Sequence, residues 1–259
     1  MTKVACGELA EYLNGLLGVA QHPDYPQALN GLHLANRTPI KRIGAAVDVS
    51  LRAIDIARSA GVNFLIVHHG MFWNGAQPFV GRFYDRIRAL IDADMAVYSA
   101  HLPLDSSVNF GNSALLARQL GLQPSGGFAQ YKDVHVGVRG QTDVTTSDLV
   151  SAVHSFAAEH GGTVRTTPLR PGQRTRRWAI CTGAGASSDT LREAAREQID
   201  TLLVGEGPHH TAVEAEELAI TVIYAGHYVT ETLGVQAIAE RASRDHGIPW
   251  LFVPTPTGL

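Results

Sequence analysis

Residues Asn63 to Trp73 read NFLIVHHGMFW, and the fold follows from how this stretch is read. Four consecutive apolar residues, Phe64 to Val67, form a short buried strand of the kind found in α/β proteins. His68 and His69 come directly behind it, so the strand finishes in two imidazoles at the mouth of a core. A single polar residue there would simply begin a loop. Two neighbouring histidines bring two nitrogen ligands to one place, and the question is what else in the chain meets them.

Working outward, Ile43 to Val49 reads as a strand and Leu51 to Ala60 as a helix. Beyond the histidines, a loop containing Gly and Pro leads to a helix near Tyr84 to Asp92 and then to a strand from Met95 to Ser99. Alternating short apolar runs and helical patterns predict α/β architecture with a largely parallel sheet. At the N-terminus Leu9, Tyr12, Leu13, Leu16 and Leu17 recur at helical spacing and predict an amphipathic helix. Glu8 and Glu11 interrupt that apolar pattern, which is unlike the unbroken run of a signal peptide. No apolar run approaches the roughly 18 residues of a membrane span.

The plan repeats. Ile180 follows Ile43 by 137 positions, and the same offset sets Leu191 against Ile54, Ala194 against Ala57, Ile199 against Val62 and Leu202-Leu203-Val204 against Leu65-Ile66-Val67. With an offset of 126, Ile223-Tyr224-Ala225-Gly226-His227 matches Val97-Tyr98-Ser99-Ala100-His101, as a shorter connection in the second copy would give. Internal self-similarity of this kind predicts a duplicated unit. The expected organisation is a first α/β unit over 1–125, a connecting segment over 126–174, and a second α/β unit over 175–259 that completes a metal site. In the middle, Tyr131 to Arg139 is read as a strand, Ser147 to His160 as a helix, and Arg165 to Arg177, with Pro168, Pro171 and Gly172, as an exposed connection.

Composition narrows the partners. The 259 residues are 45% hydrophobic and 17% charged with a formal net charge of -3, ordinary values for a globular protein with a sizeable core. The 21 Lys and Arg residues are scattered, so no electrostatic footprint for nucleic acid stands out and a small-molecule or protein partner is expected. Cys6 and Cys181 are too few and too far apart for a disulfide framework or a thiolate metal site, which fits a reduced, cytoplasmic setting.

The chemistry-bearing residues cluster after equivalent strands. His101 is followed four residues later by Asp105, and His227 four residues later by Glu231. In a parallel α/β sheet the carboxyl ends of the strands share one edge, where ligand sites form. Pro103 argues that HLPLD is a shaped loop, whereas HYVTE can open a helix that sets both side chains on one face. His68, His69, Asp105, His227 and Glu231 then supply three imidazoles and two carboxylates, with His101 close by. Such an inventory suits two divalent cations, with Zn, Fe or Mn favoured over Mg or Ca by the mixed nitrogen and oxygen donors. Taken singly, each histidine reads more plainly as a hydrogen-bonded core or surface residue; coincidence at three equivalent strand ends favours the metal.

Four weaker signals accompany it. His209 and His210, in GEGPHH, could move protons or bind substrate, or could lie in the first turn of an exposed helix. Glu206 aligns with His69 in the repeat and is a candidate acceptor for a ligating imidazole. TGAGASS, Thr182 to Ser188, could hold an anion, although a turn with Ser187 or Ser188 as helix cap is the plainer reading. Arg165, Arg170, Arg174, Arg176 and Arg177 could attract a polyphosphate, a solvated loop again being the plainer reading.

Taken together, NGL at Asn30 to Leu32, FLIVHHGMFW, HLPLDSSVNFGN at His101 to Asn112, GEGPHH and GHYVTETLGV at Gly226 to Val235 resemble the GTP cyclohydrolase type 2 homologues, the NIF-three-like dinuclear-metal proteins. The resemblance implies two similar, intertwined three-layer α/β/α units. It also implies a dinuclear centre on His68, His69, Asp105, His227 and Glu231, with the glutamate able to contact both metals, and assembly as a toroidal homohexamer. Longer members carry an inserted middle domain for which this chain has no room, and Pro208 stands where relatives often have serine. The activity implied is hydrolytic opening of a nucleotide's guanine imidazole ring with loss of formate, with His101, His209 or His210 relaying protons. Two other readings compete: a dimetal phosphatase or phosphodiesterase, and a metal-binding assembly or regulatory protein without turnover.

Overall fold

The computed structural model describes residues 3–75 and 77–259 and divides into two compact units. The first takes Met1–Leu104 together with Gly234–Thr255, and the second takes Asp105–Leu233 together with Pro256–Leu259. The fold is α/β, with one sheet in each unit.

In chain order the first part runs α1 (Cys6–Leu17), β1 (Gly31–Leu34), β2 (Ile43–Asp48), α2 (Leu51–Ser59), β3 (Phe64–His69), α3 (Gly81–Asp92), β4 (Ala96–Ser99) and α4 (Leu102–Asp105). Next come α5 (Asn112–Gln119), β5 (Pro124–Tyr131), β6 (Val134–Thr145), α6 (Thr146–Glu159), β7 (Arg165–Thr166) and β8 (Arg174–Cys181). The chain ends with α7 (Ser188–Arg196), β9 (Thr201–Val204), α8 (His209–Glu217), β10 (Thr221–Tyr224), α9 (His227–Thr230), α10 (Thr232–His246) and β11 (Trp250–Phe252).

The first sheet has the order β1-β4-β3-β2-β11, in which all neighbours are parallel except β1 against β4. The second has the order β5-β6-β8-β9-β10-β7, with β8, β9 and β10 parallel and the other pairs antiparallel. Three parallel strands flanked by one short antiparallel strand therefore occur twice, as β4-β3-β2 with β1 and as β10-β9-β8 with β7. This is the topological counterpart of the sequence repeat.

Side-chain alternation along the strands explains why helices cover both faces. On one face of the first sheet Leu65, Val67 and Val97 pack with Ile54 and Ala57 of α2 and Phe83 and Leu90 of α3. On the other, Phe64 and Tyr98 stack with ring centroids 6.3 Å apart, and the Tyr98 hydroxyl donates to Asn14 Oδ1 of α1 at 3.1 Å. With Phe64, Leu65, Ile66 and Val67 all fully buried, β3 has no wet face. The second unit packs Ala179, Leu202, Val204 and Val222 against Leu191 and Ala194 of α7 and Ala215 of α8.

Several local expectations change. HLPLD forms one helical turn: Pro103 has no N–H to lose in the first turn of a helix, so it is tolerated there. The segment from Tyr131 is a hairpin, β5 and β6 joined by Lys132 and Asp133, with Lys132 at φ 52°; no glycine announces that turn. Arg165 to Arg177 is only partly a connection, since Arg165–Thr166 pairs with β10 and Arg174 begins β8. Among the described residues no helix is long and apolar enough to cross a membrane.

Candidate metal centre

In the first unit β3 delivers His68 and His69 at its carboxyl end, and His101 follows β4. All three imidazoles are held through Nδ1. His68, fully buried, gives its Nδ1 proton to the carbonyl of Ala100 at 2.9 Å. His69 donates to Asp48 Oδ1 at 3.0 Å, and His101 to Asp24 Oδ1 at 2.9 Å. A neutral imidazole with its proton fixed on Nδ1 keeps the lone pair on Nε2, the state a metal ligand needs. One ring nitrogen from each of His68, His69 and His101 lies within 4.8 Å of the other two, a group that could hold a metal ion.

The holders are themselves built in. Asp48 faces His69 directly in the β2–β3 register. Asp24 also accepts from Asn30 Nδ2 at 2.7 Å and from the Leu102 N–H at 2.9 Å, while Asn30 Oδ1 accepts the His101 N–H at 2.7 Å. Burial works to raise the Asp24 pKa, but these hydrogen bonds, led by His101, outweigh it and hold the carboxyl below its usual value. Trp73 sets its ring edge-on to His101 with centroids 4.7 Å apart, and lies 5.7 Å from His69, walling the cluster with apolar surface. Gly70 lets the chain turn after the histidines, because a Cβ there would overlap the His33 ring.

In the second unit, His227 opens α9 just beyond β10, after Gly226 at φ 98°. Its Nδ1 proton goes to Glu206 Oε1 at 2.8 Å, and its Nε2 lies 3.1 Å from Glu231 Oε2, one helical turn on. Burial opposes protonation of His227, but the carboxylates of Glu231 and Glu206 outweigh it and push its pKa up to about 9. Gly183, at φ 64°, makes room for the acid, since a Cβ there would overlap Glu231 Oε1. Asp105 accepts from Asn112 Nδ2 at 2.9 Å. Burial, reinforced by Asp105, Glu193 and Glu231, pushes the Cys181 thiol up to about 12, so it offers no thiolate.

Glu206 thus takes the acceptor role read from its alignment with His69. His209 and His210 are exposed in the first turn of α8, and His209 shares the wall of a cleft of about 380 Å³ with Glu206 and Tyr224. TGAGASS leads into a capped helix: Ser187 caps α7, its hydroxyl accepting from the Thr190 N–H while Thr190 reaches back to the Ser187 N–H. Asp24, Asp48 and Gly183 were not picked out from the sequence. Asp48 could have been found as the residue ending the strand beside β3; Asp24, 77 positions from His101, carries no local signal.

Fold and side chains define a duplicated α/β protein with a histidine cluster that could hold a metal ion. A model of the Duf34/NIF3 (NGG1p interacting factor 3) family matches residues 4–257, and the chain belongs to that family. It is 36% identical over 258 residues to the Deinococcus radiodurans protein named GTP cyclohydrolase 1 type 2 homolog, covering 97% of this chain and 94% of that one. A Halobacterium salinarum protein of the same name is 39% identical over 249 residues, 95% of this chain and 96% of its own. The crystal structure of TTHA1606 from Thermus thermophilus matches with TM-score 0.87 and 32% identity, over 99% of this chain and 100% of that one.

Proposed function

We propose that this chain is a dinuclear-metal hydrolase acting on a nucleotide. His68, His69, His101, Asp105, His227 and Glu231 would hold two divalent cations, Zn, Fe or Mn. The observation that carries this reading is the commitment of four imidazoles through Nδ1: to the Ala100 carbonyl, Asp48, Asp24 and Glu206. Metal-ligating histidines are characteristically oriented in this way, whereas histidines placed by packing alone have no reason to share it. His101, expected as a proton relay, is assigned here as a ligand because its Nδ1 is spent on Asp24 and one of its ring nitrogens lies within 4.8 Å of those of His68 and His69.

Paired divalent ions supply Lewis acidity and bring the pKa of water toward neutrality. The chain's part is to fix the donors, exclude water with Trp73, and move protons through His209 or His210. The relatives are named for a GTP cyclohydrolase, and the reaction proposed with it is hydrolytic opening of a guanine nucleotide's imidazole ring with release of formate. A toroidal homohexamer in the cytoplasm is the assembly proposed with it.

The test is to load the protein with each metal, count metal per chain by elemental analysis, and incubate it with GTP. Two metals per chain, with formate released by the wild type and not by His68→Ala, is the expected result. Bound metal without formate, but with phosphate freed from phosphate esters, would move the assignment to a phosphoesterase. A protein that takes up no metal sinks the reading altogether.

A further inference from the structure

The first unit holds a cavity of about 220 Å³ beside His69, whose walls include Asp48, Ser50, His69, Trp73, Asn74 and Arg86. Whole-ligand pockets start at about 300 Å³, so this volume suits one arm of a ligand rather than all of it. Its polar wall groups differ in how far they are already committed. Asp48 Oδ1 accepts from His69, and the Ser50 hydroxyl accepts from the Ala53 N–H as the cap of α2. Arg86, on α3, gives one N–H to the Val49 carbonyl at 3.3 Å and sets its guanidinium carbon 5.5 Å from the Phe83 ring centroid. It has no carboxylate partner among the described residues, and a guanidinium carries five N–H donors in a fixed fork. The Trp73 indole N–H is sealed away from this space, so Trp73 gives the cavity an apolar wall.

The wall groups left for a ligand are therefore mainly donors: the Arg86 guanidinium fork, with the Asn74 amide at the rim. Asp48 is the one acidic wall group, and one of its oxygens is turned to His69. Arginine forks match the oxygens of a phosphate or carboxylate, and such charge-assisted pairs are the strong ones.

We propose that this cavity receives the phosphate of the substrate, with Arg86 as its fork partner. Resting on the hydrolase reading, the assignment gives it a substrate class: a phosphorylated small molecule whose phosphate is anchored on the Arg86 side of His69. Arg86 becomes a specificity-determining residue that separates a nucleotide from its nucleoside.

The experiment is calorimetric titration of the full-length protein with guanosine 5′-monophosphate, guanosine and inorganic phosphate. It compares wild type, Arg86→Gln and Arg86→Lys, with metal content and thermal melting recorded for each. The monophosphate should bind the wild type about tenfold more tightly than guanosine, the scale of one hydrogen bond to a charged group. Arg86→Gln should erase that difference while leaving guanosine binding and metal content unchanged, and Arg86→Lys should restore part of it. Equal affinity of nucleotide and nucleoside for the wild type, or a difference that survives in a folded Arg86→Gln protein, overturns the proposal. Loss of all turnover with an Arg86-dependent phosphate preference intact removes the hydrolase reading and leaves the subsite standing.

Discussion

Glu206 accepts the Nδ1 proton of His227 at 2.8 Å, and Glu206 stands 137 positions after His69, at the equivalent strand end. The duplication has thus given one copy an imidazole and the other a carboxylate at the same place. In the second copy the carboxylate orients a neighbouring imidazole. Replacing Glu206 with Gln should lower metal affinity by about 10–100-fold, the usual consequence of losing such an orienting group. Competition with a chromophoric chelator measures it, and affinity equal to wild type would remove Glu206 from the site.

Asp24 offers the parallel case in the first unit, with a wider structural reach because it also ties down Asn30 and the Leu102 N–H. Asp24→Asn should therefore weaken metal binding by a similar 10–100-fold and also lower the melting temperature. Melting of the metal-free variant separates the two effects: an unchanged temperature would mean that Asp24 orients His101 without stabilising the loop.

Gly183→Ala should be destabilising by about 1–2 kcal/mol from its left-handed backbone alone. Its Cβ also displaces Glu231, so metal content should fall with it. Ser187→Ala is the matched control. Losing that cap of α7 should cost about 1 kcal/mol while metal content stays at the wild-type level. Denaturant unfolding and elemental analysis on both variants decide between strain at the site and general loosening.

His33 predicts an acid limit. Its Nε2 donates to the Leu29 carbonyl at 2.6 Å and its Nδ1 accepts the Met71 N–H at 3.2 Å, so the folded protein needs it neutral. Burial outweighs the backbone hydrogen bonds to Leu29 and Ala28, which favour protonation, and depresses its pKa below the ordinary 6.5. The unfolded chain then binds the extra proton first. Stability from this group is present above pH 6.5 and is lost as pH falls through the folded value. His33→Gln, which retains a donor and an acceptor but does not titrate, should flatten the melting curve between pH 7 and 5. An unchanged slope would show that His33 does not set the acid limit.

The sequence by itself determined the α/β class, the duplication and most of the histidines worth watching. These follow from local rules: the period of apolar residues sets helix and strand, and strand ends in a parallel sheet collect at one edge. What only the tertiary structure decided was the company each histidine keeps. The tie of Asp24 to His101 spans 77 positions, and that of Asp48 to His69 depends on strand register. Gly183 makes space for Glu231 only because the loop after β8 passes against it. The hairpin at Lys132 and the turn through Pro103 escaped local reading for the same reason: neither contains a residue that by itself demands that conformation. Propensity and periodicity act over a few residues, whereas a proton held on one imidazole nitrogen is fixed by an acceptor that the folded chain brings from far away.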